Sequence, residues 1–199
     1  SSFASDNAIL VGAAVAKLLD SAFLVATDNP AGEKENIDLA GKIAVAHQAA
    51  GGSGVARSLI DDYLRWTPAQ RSQRAKAIKL EEESSAARKA NDVEKAVSLL
   101  TQARAIYEKI KDRHSVAVNW GTMGIAHWST GDWDVVIADY EQAITARRAV
   151  EDRILEGRTL NGLGSAYQQK ADWDRAADYY RQAIELRGAS FLWATDLSK

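Results

Sequence analysis

The sequence predicts an all-α fold built as a solenoid of antiparallel helix pairs, and two observations carry that prediction. The first is a self-match at a fixed offset. Asp132-Trp133-Asp134 recurs as Asp172-Trp173-Asp174, Gly124 as Gly164, Ala126 as Ala166, Tyr140 as Tyr180, and Gln142-Ala143-Ile144 as Gln182-Ala183-Ile184. Self-similarity at a period of this size marks stacked supersecondary units, each of which buries its apolar face only against its neighbours. The second is composition: 46% hydrophobic residues and only two prolines in 199 residues suit long, unbroken helices and exclude a disordered chain. The same offset reaches back more loosely to Leu80, Ser84, Asp92, Ala96, Leu100 and Ala103. Three copies result, at 77–116, 117–156 and 157–190. A degenerate fourth precedes them, with His47, Ala56 and Ile60 in register with Ala87, Ala96 and Leu100.

The chain opens on its most apolar stretch, residues 4–26. Ser5 and Asp6 suit an N-cap, and Leu10, Ala14, Lys17 and Leu18 follow helical spacing. Lys17 and Asp20 oppose a membrane span, since each costs roughly 2.5–3.5 kcal/mol near the centre of a spanning helix. The stretch therefore reads as a helix capping the solenoid, whose ends need atypical covering elements. Asp28-Asn29-Pro30-Ala31-Gly32 reads as a turn. A helix follows over 36–50 with Ile37, Ala40, Ile43, Ala44 and His47 on one face. Gly51-Gly52-Ser53-Gly54 breaks it, and 55–66 resumes as a helix carrying Leu59, Ile60, Tyr63 and Leu64. Thr67 then caps a new helix that starts at Pro68.

From Ala69 onward, first and second helices of each pair alternate. The breaks Ala90-Asn91-Asp92, Thr130-Gly131-Asp132 and Lys170-Ala171-Asp172 each end in a capping aspartate, and Glu94, Asp134 or Asp174 sits in the following first turn. Gly124 and Gly164 lie inside helices, where glycine costs about 1 kcal/mol relative to alanine, so close helix–helix approach is expected there. Trp133 and Trp173, just inside the second helices, are expected to pack between repeats. Past Arg187 the register fails: Leu192-Trp193 stands where Asp-Arg would recur, and Gly188 is expected to end the last repeat helix. The expected organisation is an N-terminal helical cap over 1–68, repeats over 69–190, and a tail or truncated capping helix over 191–199.

The third copy carries Leu160, Leu163-Gly164, Tyr167, Ala176, Tyr180 and Ala183; the second carries Trp120, Met123-Gly124, His127, Val136, Tyr140 and Ala143. On these residues the chain resembles a tetratricopeptide repeat (TPR) protein. The first copy departs, with Glu83, Ser84 and Ala87 in place of Leu, Gly and Tyr. The period is longer than is usual for such repeats, and the extra length is expected in the second helix. Long repeats with Asp-Arg in the connecting turn are similar to those of spindle-orientation scaffolds and of bacterial TPR arrays linked to a CHAT protease domain. The resemblance implies a right-handed superhelix whose first helices line a concave groove.

Catalytic and cofactor chemistry finds little footing. Twenty-five basic residues against 27 acidic ones leave a net charge of −2, without the basic footprint of a nucleic-acid binder. With no cysteine there is no thiolate nucleophile, zinc–thiolate site or disulfide. Gly51-Gly52-Ser53-Gly54 lacks the Lys-Ser/Thr and the preceding strand of a phosphate loop. His47, His114 and His127 have no second metal ligand at helical spacing, and His127 fills the repeat's tyrosine position. Glu81-Glu82-Glu83 reads as a solvated helix face. No enzyme, metal or cofactor is expected. Ser1 in place of an initiator Met suits a partial or processed chain, and leaves cytoplasmic and exported locations open.

By resemblance, the outward positions of the first helices form the binding surface. In the first copy these are Ile78, Glu81, Glu82, Ser85, Arg88 and Lys89; the second supplies Val118, Gly121, Thr122, Ile125, Trp128 and Ser129. The third supplies Arg158, Asn161, Gly162, Ser165, Gln168 and Gln169. Arg88, Val118, Thr122, Ile125, Trp128, Arg158, Asn161, Ser165 and Gln168 are the candidate contacts. Trp128 is the aromatic anchor, as Trp is enriched in interface hot spots, and Asn161 offers an amide that both donates and accepts. The Lys and Asn set that clamps a C-terminal carboxylate in chaperone-binding relatives is not present. The expected function is a non-enzymatic scaffold binding a partner protein or peptide. Its rivals are a regulatory or sensor portion of a larger signalling or protease-linked protein, and a homodimer formed through Phe191, Leu192 and Trp193 at the solenoid end.

Overall fold

The computed structural model describes residues 30–49 and 55–196, together with Val15, Leu18 and Ser21, and side chains as far as Leu186. The Ser5-Asp6 cap, the Gly51–Gly54 break and the side chains of Phe191, Leu192 and Trp193 lie outside the described residues. The elements are α1 (Pro30–Ala49), α2 (Val55–Arg65), α3 (Pro68–Lys89), α4 (Val93–Ile110), α5 (Arg113–His127), a 3-10 turn (Trp128–Thr130), α6 (Trp133–Ala149), α7 (Arg153–Gln169) and α8 (Trp173–Asp196). No strand occurs among the described residues, and the all-α expectation holds. The chain divides into two compact units, one spanning Lys76–Gly188 and the other formed by the flanking segments.

In the flanking unit α1 packs on α2, burying Ala40 and Ala44 from one helix and Ile60 and Tyr63 from the other. One expectation is corrected here. The helix begins at Pro30 rather than Asn36, because proline's fixed φ suits the first helical position and outweighs the local turn composition. Leu64 is exposed. Beyond α2, Thr67 Oγ1 accepts from the Gln70 N–H at 3.3 Å and the Thr67 N–H donates to Gln70 Oε1 at 3.0 Å, a reciprocal capping box.

The repeat unit is organised by its turns. Asn91, Lys111, Gly131, Glu151 and Ala171 all take positive φ, between 57° and 72°, and are evenly spaced along the chain. Each is followed by an aspartate, Asp92, Asp112, Asp132, Asp152 or Asp172, whose Oδ1 accepts from the backbone N–H three residues on. In four of the five turns the aspartate N–H returns to the carbonyl five residues back: Ala87, Tyr107, Arg147 and Tyr167. This left-handed closure satisfies the orphan carbonyls of one helix while the side chain caps the next. The turn at Gly131 differs. Thr130 Oγ1 donates to the His127 carbonyl at 2.7 Å and accepts from the Asp132 N–H at 3.2 Å, so a hydroxyl mediates the closure. Because the turns are evenly spaced, α6 and α7 are both 17 residues long. The extra length of the period is thus shared by both helices, not confined to the second.

Packing follows the small residues. A Cβ on Gly124 would lie 2.5 Å from the Tyr140 ring, and one on Gly164 would lie 2.8 Å from Tyr180 and 3.2 Å from the Ala176 carbonyl. The first copy holds Ser84 at this register, and its Oγ donates to the Ala96 carbonyl at 3.0 Å. Around these contacts Val136, Ile137, Ile144, Leu160, Leu163 and Tyr167 form a buried cluster, with Trp128 and Trp133 packed on it. Trp173 departs from expectation and is 63% exposed. Trp133 meets Trp128 edge to face at 5.1 Å, whereas the residue in register with Trp128 before Trp173 is Gln168, which offers no ring. Gly188 does not end the last helix either, as α8 continues to Asp196. Phe191-Leu192 replaces the left-handed residue and aspartate that stop the other helices, and one glycine costs only about 1 kcal/mol.

Two substitutions test this account. Ala171 adopts φ 58°, which costs an L-residue roughly 1–2 kcal/mol, so Ala171→Gly should stabilise the protein by about 1 kcal/mol and raise its melting temperature in calorimetry. Gly124→Ala should do the reverse: displacing the Tyr140 ring should cost a net of about 1–3 kcal/mol in urea unfolding, despite the better helix propensity of alanine.

Candidate functional site

The first helices of the repeats are α3, α5 and α7, and the repeat register sets equivalent positions on each. On α5, Val118 and Ile125 are exposed by 43% and 52%. Thr122 lies between them, half-buried, its hydroxyl donating to the Val118 carbonyl at 3.1 Å. On α7, Arg158, Asn161 and Gln168 are exposed and Ser165 is half-buried. Ser165 Oγ donates to the Asn161 carbonyl at 3.1 Å and lies 3.1 Å from Tyr180 Oη, which donates to Gln168 Oε1 at 2.8 Å. Tyr180 of α8 thus fixes two of the candidate contacts from behind. Arg88 on α3 is half-buried.

Other expected surface residues face inward. Ile78 is 8% exposed. Gly121 is buried against Arg147, where a Cβ would meet Nη2 at 2.5 Å. Trp128 sits in the 3-10 turn with its ring against Trp133 and 6.5 Å from that of Tyr140, so only part of it remains for a partner. Glu81 is not a solvated face residue. Its carboxylate accepts from Tyr107 Oη at 3.0 Å and from Asn119 Nδ2 at 3.1 Å, joining α3, α4 and α5.

Three polar arrangements escape local reading, because their members lie on different helices. Besides the Glu81 network, His127 Nδ1 lies 2.6 Å from Asp139 Oδ2. Arg104 stacks 3.7 Å over the Trp120 ring beside this pair. Burial pushes the Asp139 carboxyl above its usual 3.8, opposed by the hydrogen bond and charge of His127 and by the charge of Arg104. The third is Arg147, which is 7% exposed. Its Nη1 donates to the Leu155 carbonyl and to Thr159 Oγ1 on α7. Burial pulls its pKa down; Asp152 opposes the fall and Arg158 adds to it. The one signal in the sequence is the register itself, which sets Arg147 over Tyr107 and Gly121 over Glu81.

Among the described residues no three His, Cys, Asp or Glu side chains converge in a metal-binding group, and no helix is long and apolar enough to cross a membrane. The exposed side chains are aliphatic on α5, at Val118 and Ile125, and hydrogen-bonding on α7, at Arg158, Asn161 and Gln168.

The sequence profile of the tetratricopeptide repeat matches residues 77–149 and 115–189, together more than half the chain. No curated protein sequence matches at a significant level. Solved structures share the architecture, two of them as follows. The N-terminal domain of stress-induced protein-1 (STI-1) from C. elegans is 18% identical with a TM-score of 0.53, over 64% of this chain and 98% of that domain. BtubC (BKLC) from P. vanneervenii is 16% identical with a TM-score of 0.55, over 90% of this chain and 91% of its own. At these identities the likeness is one of fold.

The raised Asp139 pKa sets a pH dependence. Its protonated form is favoured by the folded state, so its contribution to stability is complete below pH 3.8 and declines as pH rises through the folded value. Asp139→Asn should therefore gain stability relative to wild type as pH rises above about 3.8, read as a difference in melting temperature across an acid-to-neutral series.

Proposed function

This chain belongs to the tetratricopeptide repeat family, and from that premise we propose that the shared face of α3, α5 and α7 binds an extended segment of a partner protein, making the chain a non-catalytic interaction scaffold. The observation that carries the reading is the pairing of two unlike walls at one register. Val118 and Ile125, two helical turns apart and so on one face of α5, stay exposed. At the equivalent positions α7 presents Arg158 and Ser165, with Asn161 and Gln168 beside them. An extended peptide carries both kinds of group: apolar side chains for the first wall and an unpaired backbone for the second. The Asn161 amide, donor and acceptor at once, suits a peptide backbone. Arg88, Thr122 and the open part of Trp128 complete the surface.

The experiment is selection of a binding peptide from a random library against the full chain, followed by titration of variants. Val118→Asp/Ile125→Asp should fold as wild type, because both side chains are exposed. Burying each aliphatic side chain is worth about 1.5–3 kcal/mol, so the double variant should bind at least about tenfold more weakly. Ile184→Asp, at a 69% exposed site on the second helix α8, should leave affinity unchanged. Equal binding by all three chains would move the site off this face.

A further inference from the structure

The repeat register aligns one position of the second helices, occupied by Ile106, Ala146 and Leu186. Ile106 on α4 packs on the buried cluster of Ala77, Ala103, Tyr107 and Ile110, and Leu186 on α8 packs on the cluster around Val136 and Leu160. Between them, α6 carries only a methyl group. Ala146 lines a cleft of about 490 Å³ between the last turn of α6, the last turn of α4 and the first turn of α5. Ala149, near the end of α6, is equally small and lines it too. A cleft of this volume falls within the range of small-molecule sites, roughly 300–1,000 Å³.

The following junction is built differently at the same register. There Leu186 stands in place of Ala146, and Arg148 meets Glu156 at 2.6 Å. The residues in register with that ion pair are Glu108 and Val116, which cannot form one. Val116 is aliphatic, and Glu108 lies 3.9 Å from Arg104 on its own helix. The walls of the cleft are therefore largely apolar, made by Tyr107, Val116, Ala146 and Ala149, and the Tyr107 hydroxyl is committed to Glu81. Lys111 and Arg113 border it, and both are exposed. Among the described residues neither side chain has a hydrogen bond or ion pair. Glu151 takes the place of Lys111 at the following junction, so the doubly cationic rim does not recur there.

We infer that this cleft binds a small molecule with an aliphatic body and a single carboxylate, such as a medium-chain fatty acid. The alkyl chain lies against Ala146, Ala149, Val116 and Tyr107, in the place that Ile106 and Leu186 mark for an aliphatic side chain in the repeats on either side. Its burial supplies most of the affinity. The carboxylate meets Lys111 and Arg113 at the mouth through charge-assisted hydrogen bonds, which fix the direction of entry. Because the rim cations are exposed, they set the preference for an acid more than the strength of binding. With Glu108 the rim carries two cations against one carboxylate, a balance that suits a monoanion over a dianion. None of these residues is a candidate contact of the α3, α5 and α7 face, and the two sites stand or fall separately.

The test is a titration of the full chain, labelled with carbon-13 at its alanine methyl groups, with octanoate and with octanamide, each below the concentration at which it self-associates. Octanoate should shift the Ala146 and Ala149 methyl signals saturably, and octanamide should bind at least about threefold more weakly. Ala146→Leu, which places in α6 the side chain found at this register in α8, should keep its helicity and weaken octanoate binding at least about tenfold. Lys111→Asn/Arg113→Gln changes two exposed positions, and asparagine suits the left-handed φ of 63° at residue 111. This variant should bind octanoate no better than octanamide. If octanoate leaves both methyl signals in place, or Ala149 shifts equally in Ala146→Leu and in wild type, the cleft is not a binding site and the proposal is refuted. If octanamide binds as tightly as octanoate, or the rim variant keeps its preference for octanoate, the assignment of a carboxylate ligand is refuted.

Discussion

The repeat unit depends on one local device, a residue in the left-handed region followed by an aspartate. The left-handed residue turns the chain back and lets an N–H close on the carbonyls of the outgoing helix; the aspartate then caps the incoming one. Because the pair returns at even intervals, each helix begins and ends in step with its neighbours, and equivalent side chains fall on equivalent faces. Four of the five left-handed residues are not glycine, so the device tolerates a local cost of roughly 1–2 kcal/mol at each. The caps, the closure bonds and the packing that the register makes possible offset it. Where the pair is missing, after Arg187, the helix runs on to Asp196.

Register converts this local device into packing. With helix ends aligned, Tyr140 meets Gly124 and Tyr180 meets Gly164, so a ring from a second helix covers the backbone of a first. Tyr140 also reaches Gly162 of the next repeat, where a Cβ would lie 3.1 Å from its ring. One aromatic residue thereby ties three helices. The same approach turns the remaining face of α5 outward, which is why Val118 and Ile125 stay exposed while Ala117, Met123 and Ala126 are buried.

The polar groups inside the unit vary where its packing repeats. At one junction Glu81 bridges Tyr107 and Asn119; at the next Arg147 reaches Leu155 and Thr159 over a bare Gly121. The left-handed residue and the capping aspartate recur at both, although the Thr130 hydroxyl mediates the closure at Gly131. Chemistry therefore differs between repeats with little cost to the fold, because each junction draws its own hydrogen bonds from neighbouring helices.

The sequence by itself determined the all-α class, the repeat period and the capping aspartates, together with the close approach at Gly124 and Gly164. Each depends on contacts within a few residues or on a pattern written twice, and local physics reads both. It also placed Val118, Ile125, Arg158, Asn161 and Gln168 on open helix faces, through helical periodicity. Only the tertiary structure decided which aromatic rings are covered: Trp133 is packed because Trp128 stands beside it, and Trp173 is exposed because Gln168 stands in that position. It alone showed that Glu81 is tied into the interior and that Arg147 lies buried over Gly121. Those outcomes depend on side chains 26 to 38 residues apart in sequence meeting in space, and no local propensity records such a meeting.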